Sequence, residues 1–180
     1  MQLAATQGWR DTTLADIAET AGLSLGELRR VAGGKTEILR ALTRRADAAM
    51  LDAGAAEGET TRDKVFELLM RRLDALGPFK PGLKAVSRDL VRDPGAAALL
   101  ACGTARSMAW ALEAAGVNPR GPIGGLRVNA LAAIYAYTLR GWLNDESADN
   151  AKTMAALDKA LRRAESFASP FSRRPQAAES

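Results

Sequence analysis

Wherever the apolar residues of this chain keep a clear period, the period is that of a helix. Residues 1–6 read as the end of a short helix stopped by Gly8. Thr13 can cap a second helix, with Asp16 in the reciprocal position of a capping box and Leu14, Ile17 and Ala18 as its inner face. Gly22 suits the left-handed exit from it. Ser24 then caps a third helix with Glu27 in the box position; Leu25, Leu28 and Val31 keep the apolar spacing, while Arg29 and Arg30 lie largely on the other side. After Gly33-Gly34, Lys35 opens a long helix through about Ala53, carrying Ile38, Leu42, Ala46 and Ala49 at helical spacing.

The segment "GAAEGET" is a joint, and Thr60 or Thr61 caps the helix beyond it. There Val65, Leu69, Leu73 and Leu76 form one stripe, which Gly77-Pro78 is expected to stop. A shorter helix from Pro81 to near Arg92 follows, then a long one from Asp93-Pro94 to Ala115, and another from Pro122 to about Leu143. "NDESADN" reads as a solvated turn and cap before a final helix from Asn150 to Ala168, and "SPFSRRPQAAES" as a frayed tail. The pattern predicts an all-α chain: a head over 1–53 with a short first helix, a helical body over 54–168, and a flexible tail over 169–180.

Composition agrees, since Ala and Leu dominate and β-branched residues are sparse. The net charge of +4 encourages a polyanionic partner only mildly, because residues 1–53 hold seven basic and seven acidic side chains. One cysteine, Cys102, gives no internal disulfide and suits a reducing, cytoplasmic setting. No secretory signal is visible, and the most apolar stretch, "IGGLRVNALAAIYAYTLRGWL", is broken by Arg127, Asn129 and Arg140, which argues against a membrane span. With no histidine there is neither a histidine-based triad nor a histidine-based metal site, so an enzyme, a metal and a cofactor are not expected.

Two short helices around a glycine turn form the helix-turn-helix arrangement, whose second helix enters the major groove of DNA. The candidate DNA-contacting residues are Ser24, Leu25, Glu27, Arg29 and Arg30, with Arg10, Thr12, Thr13 and Lys35 placed for phosphates. The helices over 96–115 and 123–143 are apolar on more than one face. Met108, Trp110, Leu126, Tyr135 and Trp142 could line a ligand pocket there, with Arg106 and Asn129 as polar fixtures. The same residues suit an ordinary bundle core. A seam between two copies would bury Ile134, Leu139, Met154, Leu157 and Leu161 from the last two helices.

"GWRDTTLADIAETAGLSLGELRR" followed by "GGKTEIL" closely resembles the N-terminal signature of the TetR family of transcriptional regulators, over about forty residues. The landmarks are Gly8-Trp9, Thr13, Ile17-Ala18, Ala21-Gly22, Leu28 and Lys35-Ile38. The resemblance implies a TetR-like fold, with a three-helix head on a helical bundle. It also implies a homodimer on a pseudo-palindromic operator in double-stranded DNA, and repression modulated by a small apolar or lipid-like effector. Arg29 stands where that family usually has tyrosine, Ala32 where it has phenylalanine, and Glu27 where it has a small hydroxyl residue. A second stretch, "ALAAIYAYTLRGWLNDESADNAKTMAALDKALRR", is similar to the TetR-like accessory proteins of ubiquinone biosynthesis at Tyr135, Thr138, Trp142-Leu143, Glu146-Ser147, Thr153 and Leu157-Asp158. That likeness implies the alternative of a lipid-binding protein that does not read DNA.

Overall fold

The computed structural model describes residues 1–147 and 149–168; the expected tail, 169–180, lies outside them. Among the described residues the chain forms helices α1 (Gln2–Gln7), α2 (Leu14–Thr20), α3 (Leu25–Val31), α4 (Lys35–Asp52), α5 (Thr61–Leu76), α6 (Lys80–Leu90), α7 (Pro94–Ala114), α8 (Gly121–Trp142) and α9 (Ala151–Ala168). No strand occurs among them.

The helices start where local chemistry satisfies their free N–H groups. Thr13 with Asp16, Ser24 with Glu27, and Thr60 with Asp63 each close a reciprocal capping box. Asp93 accepts from the Ala96 N–H ahead of Pro94, which needs no N–H in the first turn. α2 ends on Gly22 at φ +66°, and the Leu23 N–H reaches back to the Ala18 carbonyl. Gly77-Pro78 does not halt the chain as expected. A 3-10 turn over Gly77–Phe79 carries it directly into α6, because Pro78 lies in the first turn where its missing N–H is harmless.

α5 is the centre of the body, flanked by α4, α7 and α9, while α8 packs on α7 and α9. Its Leu68, Leu69 and Leu73 meet Met50 of α4, Met108 and Ala111 of α7, Tyr135 and Trp142 of α8, and Leu157 of α9 in one core. A smaller core of Ala4, Leu39 and Val86 joins α1, α4 and α6, with Met1, Trp9, Leu90 and Leu100 half-buried around it. There α1 lies so close to α6 that a Cβ on Gly82 would sit 2.4 Å from the Met1 carbonyl oxygen. α4 therefore belongs to both regions: Leu39 packs in the small core, and Ala46 and Met50 pack in the large one. No helix among the described residues is long and apolar enough to cross a membrane.

Candidate functional site

α3 buries only Leu28 and leaves Leu25, Gly26, Glu27, Arg29, Arg30 and Val31 exposed. A two-turn helix held by one apolar residue depends on its cap. The Ser24 hydroxyl accepts from the Glu27 N–H, and Glu27 Oε2 accepts from the Ser24 N–H and hydroxyl at 2.8 Å each. The Ser24 backbone N–H, then its hydroxyl, hold the Glu27 carboxyl below its usual range, so it stays ionised. Glu27 thus serves the cap before any base. Arg29 and Arg30 stand exposed in the last turn, and Leu25 is 56% exposed at the start. α3 projects a mixed apolar and cationic ledge outward.

The residues placed for phosphates divide. Arg10 is exposed, and its backbone N–H donates to Asp89 Oδ2 at 2.8 Å, tying the turn after α1 to α6. Thr13 is exposed and caps α2. Thr12 is corrected: it is 2% exposed and donates to the Gly8 carbonyl at 2.6 Å, so its hydroxyl turns inward. Lys35 is half-buried. Its ammonium donates to the carbonyls of Trp9, Arg10 and Thr12 and lies 4.8 Å from the centre of the Trp9 ring. That cation clamps the α1–α2 turn onto the start of α4. It gives the glycine-tryptophan pair and the lysine of the signature one shared structural role.

The expected pocket does not form as one cavity. Met108, Tyr135 and Trp142 are fully enclosed in the main core. Leu126 is 70% exposed and Asn129 is exposed, both on the outer face of α8, which turns them away from that core. Arg106 and Trp110 instead line an open cleft of about 400 Å³ between α4 and α7, together with Arg40, Arg44, Leu51, Leu99 and Gly103. Sequence reasoning missed the α4 side of this cleft. Its signals are the helical spacings Arg40-Arg44-Asp47 and Leu99-Gly103-Arg106-Trp110, which place each set on one helix face.

Behind the cleft lies a polar knot that periodicity cannot show. Arg72 of α5 is 3% exposed; its Nε donates to Asp47 Oδ1 at 2.8 Å, and its other nitrogens reach the Tyr135 hydroxyl and Ser107 Oγ. Ser107 donates to Asp47 Oδ2 at 2.7 Å. Burial pushes the Tyr135 hydroxyl upward, and the Arg72 charge only partly counters it. The knot joins α4, α5, α7 and α8.

The expected seam is also redistributed. Leu157 and Leu161 are buried within the chain's own core, so they are not surface for a second copy. Ile134, Leu139 and Met154 are half-buried. The open apolar face of α8 carries Ile123, Leu126 and Tyr137, at 68%, 70% and 66% exposure.

Much of the second resemblance has a folding role. Asp145 is 4% exposed, not solvated; it accepts from the N–H and hydroxyl of both Ser147 and Thr153, which fixes the entry to α9. Lys80 donates to the Asp145 carbonyl and lies over the Trp142 ring. Among the described residues no cluster of acids and cysteine is placed to hold a metal ion.

No family model and no curated protein matches the chain. A solved structure does: the TetR transcriptional regulator from Nitrosomonas europaea ATCC 19718 is 27% identical, with 91% of this chain and 92% of that one covered at a TM-score of 0.69. The chain has the fold of a TetR-type transcriptional regulator, an N-terminal helix cluster on a C-terminal helical bundle.

Proposed function

We propose that this protein is a TetR-type DNA-binding regulator, a repressor that works in the cytoplasm as a homodimer and answers to a small ligand. The observation that carries the reading is α3 itself, which exposes Leu25, Arg29 and Arg30 and buries Leu28 alone. A helix with one anchoring residue contributes little to its own fold, whereas an outward cationic ledge suits the major groove. The fold shared with a transcriptional regulator supports it. The exposed α8 face of Ile123, Leu126 and Tyr137 supports pairing, because a contiguous apolar patch marks an interaction surface. Two-fold pairing would repeat α3 about 34–36 Å apart, one turn of the duplex, for a pseudo-palindromic operator.

Fluorescence anisotropy with promoter DNA at two salt concentrations tests this. Specific binding that weakens as salt rises is expected, and Arg30→Ala should lower the salt slope by about 1. A lipid-binding accessory protein would show neither effect. Light scattering that finds a monomer at micromolar concentration would overturn the dimer.

A further inference from the structure

The cleft between α4 and α7 combines an apolar wall with a cluster of cations. One wall is apolar and open. Leu99 and Trp110 of α7 are 46% and 56% exposed, on one face separated by about 16 Å of helix at 1.5 Å per residue. Gly103 lies between them, and a Cβ built there meets nothing within 4 Å. The other feature is charge. Arg40, Arg44 and Arg106 line the cleft with a single carboxylate, Asp47. Asp47 is engaged on both oxygens, by Arg72 and Ser107. Arg40 and Arg44 share Glu37 at 4.0 and 3.6 Å, with Arg44 exposed and the Arg40 and Glu37 side chains partly so, and that pairing holds them weakly. Arg106 makes no ion pair among the described residues. The volume of about 400 Å³ falls among small-molecule sites, which span roughly 300–1,000 Å³.

We propose that this cleft is the effector site, and that its ligand is an amphipathic organic anion. An apolar body lies along Leu99, Gly103 and Trp110, and a carboxylate or phosphate sits on Arg106 with Arg40 and Arg44. This rests on the regulator reading for its consequence but not for its chemistry. A purely apolar ligand would leave Arg106 without a counter-charge and Arg40 and Arg44 with only Glu37 between them, and a fully polar one would leave Trp110 and Leu99 wet. The consequence follows from α4. It forms one wall of the cleft, and its other end is fixed to the head by Lys35 and Leu39. A ligand that alters the spacing of α4 and α7 moves the end of α4 that Lys35 ties to the turn before α2, the helix against which α3 packs. Binding of ligand and of DNA are then coupled reciprocally.

The test titrates full-length protein with dodecanoate, dodecyl phosphate and dodecanol below their aggregation limits, read by calorimetry and tryptophan fluorescence. Both anions are expected to bind at least tenfold more tightly than the alcohol. Arg106→Gln should abolish that preference while sparing the alcohol. Gly103→Leu should fill the cleft and weaken all three at least tenfold, with the thermal melt by circular dichroism unchanged or raised. Equal affinity for alcohol and anion overturns the proposal, and so does unaltered binding by Gly103→Leu. Promoter anisotropy with and without dodecanoate separates the two readings. A protein that binds promoter DNA but no anion loses this inference alone. One that binds the anion with both variant effects but ignores DNA retains the ligand site and loses the regulator reading.

Discussion

The body and the head of this molecule are held together by different physics. In the body, Leu68, Leu69, Leu73, Met50, Met108 and Leu157 are removed from water almost completely, and the buried Arg72 knot ties four helices. In the head, α1, α2 and α3 bury one residue each, Ala4, Ala18 and Leu28. Order there comes from capping boxes, a glycine exit and one lysine that gathers three carbonyls. A surface left open to solvent cannot also be core. The head gives up burial to keep side chains outward, and directional hydrogen bonds replace the missing area. Its stability is therefore local and the body's is collective.

The largest expected effect lies in the body. Leu73→Ala removes a side chain with no exposure at the centre of α5, and should cost about 2–5 kcal/mol of global stability by urea unfolding. If the midpoint barely moved, the body would lack the collective core assigned to it. Next is Lys35→Met, which keeps the stem over Trp9 and removes the donors. Hydrogen bonds to charged groups contribute about 1.5–3 kcal/mol, so α2 and α3 should lose amide-exchange protection and DNA affinity while the body's transition holds. A parallel loss in both regions would erase the distinction. Ser24→Ala should cost about 1 kcal/mol, confined to α3, and weaken DNA binding without moving the Arg30-dependent salt slope.

The finest test uses pH. Hydrogen bonds from Ser147 and Thr153 hold the Asp145 carboxyl far below its unfolded value of about 3.9. A depressed carboxyl adds stability above its unfolded pKa, and that stability disappears as pH falls through the folded one. The advantage of the native protein over Asp145→Asn should thus be flat from neutrality to about pH 5 and shrink below about pH 4. An advantage that stayed constant into acid would show that the Asp145 hydrogen bonds do not stabilise the ionised form.

The head was the more legible region. Its caps at Thr13 and Ser24 are signals three residues long, and its Gly22 exit is a one-residue signal, so a linear reading captures them. Lys35 shows the limit. Its position was recognisable, but whether the ammonium meets phosphate or the carbonyls of Trp9, Arg10 and Thr12 depends on a turn more than twenty residues away. In the body, α7 and α8 are apolar around most of their circumference, so periodicity could not assign faces. Tyr135 and Trp142 turned into the core, while Leu126 and Asn129 on the same helix turned out. Leu157 and Leu161, expected at a seam, went to the chain's own interior.

By itself, the sequence determined that the chain is helical, where its capped helices begin, and that the third helix carries Arg29 and Arg30 off the side of Leu28. Those features depend on backbone groups and neighbours within one turn. Only the tertiary structure decided that Lys35 is a clamp, that Asp47 and Arg72 neutralise one another behind a cleft, and that Arg40, Arg44 and Arg106 come together at its rim. Charges and apolar faces acquire partners only when distant helices pack, and no local pattern specifies which helix that will be.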